Sequence, residues 1–174
     1  MNKNPWIVLC IITIVAGLAL GATYMITKGP IEQQEQQVLQ AALGDVFPGA
    51  TFAAIEETPE GLDGLYEAKL DGELAGYVGQ ITVSGYKPGI VIVLGVDLEG
   101  KITGINVGGT TFAESPGFGT RTREPEFTTQ FIGLDSAPVM GENVDGISGV
   151  TVSSKAVIGG TNSIYTAIEP LLAK

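Results

Sequence analysis

The stretch "GIVIVLGVDLEGKITGINV", Gly89–Val107, decides the fold. Its first nine residues are a nearly unbroken apolar run rich in valine and isoleucine, which suits a central strand. "KITGINV" (101–107) puts Thr103, Ile105 and Val107 on one face of a second strand, and "LEGK" (98–101) turns the chain between them. The same residues offer a rival reading. Gly95 to Lys101 fits GxxxxGK, the opening of a phosphate-binding loop. That loop requires Ser or Thr next and then a helix. Here Ile102 follows and a strand begins, so the hairpin reading holds.

Working outward, "LYEAKL" (65–70), "DGELAG" (71–76) and "YVGQITVSGY" (77–86) read as a strand, a turn and a longer strand. Downstream, "TREPEFTTQFIGLD" (122–135) holds a short helix starting near Pro125. Thr151 to about Glu169 is the last helix, with Val157, Ile164 and Ile168 spaced for one buried face. Gly159-Gly160 weakens it locally, and Pro170 kinks or ends it. The whole is one α+β domain with an antiparallel sheet and flanking helices.

Ahead of this domain, Trp6 to Ile26 carries no charge. At a rise of about 1.5 Å per residue, a helix of that length spans roughly 30 Å, a bilayer core. Trp6 and Tyr24 sit near its ends, where amphipathic rings favour the interface. Gly17 and Gly21 form a GxxxG pair suited to close helix contact. A cleaved signal peptide is the other reading, with Ala19-Leu20-Gly21 as a loose cleavage site, but the apolar run is long for one. Residues 1–29 are therefore read as a transmembrane anchor. Lys3 and the terminal amine against Lys28 alone lean toward a cytoplasmic N-terminus and an external domain over 30–174. Pro30 to Leu43 reads as a Gln-rich helix that Gly44 stops.

Composition removes whole classes of function. All 19 acidic residues but only seven of the nine Lys and Arg lie beyond Gly29. That surface repels nucleic acid and anionic lipid. With no histidine and one cysteine, Cys10 inside the apolar run, there is no disulfide framework and no ordinary ligand set for zinc, haem or an iron–sulfur cluster. Ser-His and Cys-His catalysis are excluded. A Ser-Lys nucleophile at Lys155 fails too: position 152 is Val, and Ser154 would point away from Lys155 on a helix.

Two segments remain unexplained. "FAESPGFGTR" (112–121) is either a Pro-Gly turn or a Gly-lined loop on which a flat ligand lies, with Glu114 or Arg121 at its polar edge. "DGISGVTVSSKAV" (145–157) sets Ser148, Thr151, Ser153 and Ser154 around Gly149 at the start of the last helix. Capping a helix takes one hydroxyl, and four are present. The first-turn N–H groups, expected from Val152, Ser153 and Ser154, together with Lys155, make an anion site suited to a phosphate.

This pair of segments resembles the FMN-binding domain shared by the G subunit of the Rnf complex and the C subunit of the sodium-pumping NADH:quinone reductase. The family motif Asp-x-x-Ser/Thr-Gly-Ala-Thr reads here Asp145-Gly146-Ile147-Ser148-Gly149-Val150-Thr151. The upstream loop His-x-Glu-Thr-Pro-Gly-Leu-Gly reads Phe112-Ala113-Glu114-Ser115-Pro116-Gly117-Phe118-Gly119. Val150 stands where the family has Ala, and Phe112 where it has His. The chain is short for the sodium-pump protein, so the Rnf G subunit is the better match.

The resemblance implies FMN esterified through its phosphate to Thr151 by a flavin transferase that uses FAD and Mg²⁺. It places Ser148, Ser153 and Ser154 around the phosphate and Pro116–Gly119 near the isoalloxazine. It also implies an electron carrier among membrane and soluble subunits of an ion-translocating ferredoxin:NAD oxidoreductase. A membrane-anchored binding or assembly domain without cofactor is the alternative. A free flavin-linked reductase is a third reading, and the lack of a nucleotide loop argues against it.

Overall fold

The computed structural model describes residues 4–172. Two compact units divide the chain, one up to Gln37 and one from Val38 onward.

Helix α1 runs from Pro5 to Val46 and is long and apolar enough to cross a membrane. Its threonine hydroxyls are satisfied within the helix, as an apolar surround requires: Thr13 donates to the Leu9 carbonyl and Thr23 to that of Ala19. A separate helix opening at Pro30 is not what forms. Pro30 lies inside α1. It removes one backbone donor, and the helix continues past it and past Gly44 to Val46.

The second unit is built on a five-stranded antiparallel meander in the order β1 (Thr51–Ala54), β2 (Gly64–Leu70), β3 (Glu73–Ser84), β4 (Pro88–Asp97) and β5 (Ile102–Gly108). The β2–β3 turn is only Asp71-Gly72, both at positive φ, the two-residue loop that matches strand twist. The rest of "DGELAG" belongs to β3. At the β4–β5 turn the Asp97 carboxylate accepts the Lys101 N–H at 2.7 Å, and Gly100 takes φ 83°. Gly95 pairs with Gly104 in mid-strand, so no phosphate loop exists there.

Strand β4 alternates between two cores. Ile90, Ile92, Leu94 and Val96 face helix α3 (Thr151–Leu172), with Val157, Ile164 and Ile168 opposite them. Val93 faces the other way, toward Ala42, Leu43, Val46 and Phe47. Close packing accounts for Gly160 of the glycine pair in α3: a Cβ there would come within 2.6 Å of Ile92 and 2.9 Å of Val83, whereas one on Gly159 would meet open space. Pro170 does not end α3, which continues past it to Leu172. The short helix α2 spans Pro125–Thr128.

Val46 sits tightly on the sheet, its carbonyl accepting from the Thr103 hydroxyl at 2.7 Å. A Cβ at Gly104 would lie 2.8 Å from Val46 Cα, and backbone cannot swing aside. Gly104→Ala is therefore expected to cost about 1–3 kcal/mol, the usual penalty of overpacking. Thermal melting of the detergent-solubilised chain measures it.

Tyr165 couples α3 to the β4–β5 turn by donating to the Gly100 carbonyl at 2.8 Å. Burial raises its phenol pKa above the ordinary value, with Glu169, Asp135 and Asp97 pushing the same way. A raised folded-state pKa means the contribution is fully present below the unfolded value of about 10 and is lost as pH rises through the folded one. Melting temperature is expected to fall above pH of about 10, and less steeply in Tyr165→Phe.

Candidate functional site

The chain from Ser115 to Gly119 turns on Gly117, at φ 74°, with Phe118 N–H bonded to the Ser115 carbonyl. The chain from Ile147 to Val150 turns on Gly149, at φ 78°, with Val150 N–H bonded to the Ile147 carbonyl at 3.0 Å. Each glycine takes the left-handed conformation that other residues rarely adopt. The second turn delivers Thr151 as the first residue of α3. Between the two turns lies a cleft of about 460 Å³, lined by Glu114, Ser115, Phe118, Gly119 and by Gly149 to Ser153, with Tyr86 of the β3–β4 turn.

The four hydroxyls of the second segment separate into two pairs. Ser153 and Ser154 are buried, at 2% and 0% exposure. Ser153 donates to Glu114 Oε2 at 3.1 Å, and Ser154 accepts the Ile147 N–H at 3.1 Å. Ser148 and Thr151 are exposed, and neither hydroxyl has a hydrogen-bond partner among the described residues. Simple capping is thus not what the cluster does. Ser154 is turned inward and locks the loop, rather than standing at the cleft with Ser153 and Thr151. Its N–H is also taken, by the Val150 carbonyl at 2.9 Å. The first-turn donors left over are Thr151, Val152 and Ser153.

Glu114 ties the site together. Only 5% exposed, it accepts the Lys87 N–H at 2.9 Å through Oε1 and the Ser153 hydroxyl through Oε2. One carboxylate thereby joins the upstream loop, the β3–β4 turn and the start of α3. Gly85 and Gly119 press against it; a Cβ on Gly85 would come 2.6 Å from Oε1, and one on Gly119 would collide with Oε2.

The remaining expected residues are placed as follows. Val150 is buried and lines the cleft. Pro116 and Gly117 are exposed on the turn and do not line it. Lys155 is exposed one helical turn beyond Thr151. Asp145 and Ser148 open instead onto a smaller cleft of about 230 Å³ that includes Arg121 and Gln130. Gln130 holds that strip by accepting the Asp145 N–H at 2.9 Å. Phe112 is half-buried beneath the Arg123 guanidinium, 4.9 Å from its ring centroid.

Sequence reasoning missed Tyr86, and gave Val152 a backbone role without its side chain on the cleft. Tyr86 is 72% exposed and Phe118 63% exposed, both on the cleft. An aromatic in a Gly-containing turn, "SGYKPG", was the available signal for Tyr86. The volume falls within the roughly 300–1,000 Å³ of small-ligand sites. Two exposed aromatics, a partner-free hydroxyl and three first-turn N–H groups suit a flat ring bearing a phosphate. The residues present fit FMN.

The FMN-binding domain family matches residues 85–166, the span holding both turns and Tyr86. Fold and cleft together define an FMN-binding domain in a chain with an apolar, membrane-length helix. The chain is 31% identical to the G subunit of the Na⁺-translocating ferredoxin:NAD⁺ oxidoreductase complex of Acetobacterium woodii, over 90% of this chain and 86% of that protein. It is 30% identical to the G subunit of the ion-translocating oxidoreductase complex of Methanosarcina acetivorans, over 97% and 93% respectively. It belongs to this family, the G subunits of the Rnf-type ion-translocating oxidoreductase complexes. The fold is also that of the C subunit of the Na⁺-translocating NADH-quinone reductase of Parabacteroides distasonis, with TM-score 0.52 and 23% identity over 64% of this chain and 63% of that one.

Proposed function

We propose that this protein carries FMN on Thr151 through a phosphoester and relays electrons between neighbouring subunits of a membrane-bound, ion-translocating ferredoxin:NAD oxidoreductase complex. One observation carries the attachment: Thr151 presents a partner-free hydroxyl inside the cleft, at the N-terminus of α3. The relatives named above support the complex. Bound flavin supplies the redox chemistry. The chain supplies placement. First-turn N–H groups of Thr151, Val152 and Ser153 face an anion, and Lys155, four residues on from Thr151, adds a positive charge on the same side of the helix. Tyr86, Phe118 and Val152 give the ring apolar walls.

During maturation a flavin transferase would present FAD with Mg²⁺. The Thr151 hydroxyl would displace AMP from FAD and so take up the FMN phosphate, its proton leaving with AMP. Residues 1–29 anchor the chain, the N-terminus is cytoplasmic, and residues 30–174 work on the outer face, where a covalent tether prevents loss of the flavin.

Flavin fluorescence in a denaturing gel tests this reading. The band is expected to fluoresce when the chain is made in cells with an active flavin transferase and to stay dark without one. A dark band in both would favour a membrane-anchored binding or assembly domain without cofactor.

A further inference from the structure

Glu114 is the one charged side chain among those lining the cleft. No Lys or Arg among the described residues pairs with it. Its oxygens accept from two neutral donors instead, the Lys87 N–H and the Ser153 hydroxyl. Such donors offset part of a negative charge and leave the remainder acting on neighbours through a low-dielectric interior. Burying a carboxylate without a cation is costly, and an amide of the same length would join the same three segments without that cost. A carboxylate held at a ligand cleft without a cation beside it acts on whatever binds there. Gly85 and Gly119 hold it in one place, since a Cβ on either would meet the carboxylate.

We propose that the fixed charge of Glu114 beneath the cleft lowers the reduction potential of the bound flavin, and that the Ser153 hydroxyl moderates this effect. The inference rests on the flavin reading above. An electron accepted without a proton adds negative charge beside a negative charge that cannot move away. Glu114 acts here as a positioning and tuning residue, with no bond to the ring required.

The test is a redox titration, followed by flavin absorbance, of the full-length detergent-solubilised chain made with an active flavin transferase. Glu114→Gln keeps an acceptor for Lys87 N–H and offers its amide to Ser153, whose hydroxyl turns to accept. It removes only the charge, and the midpoint is expected to move positive. Glu114→Asp keeps the charge and is expected to stay on the wild-type side of the Gln variant. Ser153→Ala removes a donor, and its midpoint is expected to move negative. A flavin-loaded Gln variant with an unchanged or more negative midpoint overturns the proposal. If the Gln variant fails to fold, the sign of the Ser153→Ala shift decides alone. A wild-type chain without covalent flavin overturns the underlying reading and this inference with it, which distinguishes the two failures.

Discussion

Thr151→Val is expected to abolish covalent flavin while leaving the fold intact. Valine copies the shape of threonine and lacks only the hydroxyl. Thr151 is exposed and its hydroxyl has no partner among the described residues, so the fold loses no hydrogen bond. Exposed substitutions of this kind change stability by no more than about 0.5 kcal/mol. The expected result is a variant with the wild-type melting temperature and no flavin fluorescence after denaturation. Retained fluorescence would move the attachment to another hydroxyl, Ser148 being the other exposed one in the motif.

Gly119→Ala should have the largest effect on stability. Its Cβ would collide with Glu114 Oε2 and come within 2.8 Å of Glu114 Cβ, so the buried side chain has to shift from its place. Displacing the carboxylate strands the buried Ser153 hydroxyl, at about 1–3 kcal/mol for a buried unsatisfied group. Overpacking adds about 1–3 kcal/mol. A loss of about 2–6 kcal/mol is a large part of the roughly 5–15 kcal/mol that holds a domain folded. At about 2–4 °C per kcal/mol, the melting temperature should fall by roughly 5–20 °C. Covalent flavin should fall with it, because the carboxylate fixes the start of α3. A melting temperature within a few degrees of wild type would mean that Glu114 is not clamped as described.

Much of the sheet was legible because its signals are local. The Val91–Leu94 run, the Asp71-Gly72 turn and the turn before Lys101 each announce themselves within a few residues. Strand β1 was not, because Thr51–Ala54 is four mostly exposed residues whose strand character comes from pairing with β2. The unbroken α1 was hidden by Pro30 and Gly44, residues that usually end helices.

The two site segments were found through their motifs, but their internal division of labour was not. Glu114 reaches partners 27 and 39 residues away, and no spacing rule connects such positions. The inward turn of Ser154 was open to inference. Ser153 and Ser154 fall in helical phase with Val157, Ile158 and Thr161, all buried. Only Thr151 of the four hydroxyls both begins the helix and stands in the cleft.

That residue carries the central claim, and peptide mass mapping tests it most directly. The chain is taken from cells with an active flavin transferase, denatured and digested. The peptide containing Thr151 is expected to gain the mass of FMN less one water, with fragmentation placing the gain on Thr151. An unmodified peptide across Asp145–Lys155 from those cells would contradict it.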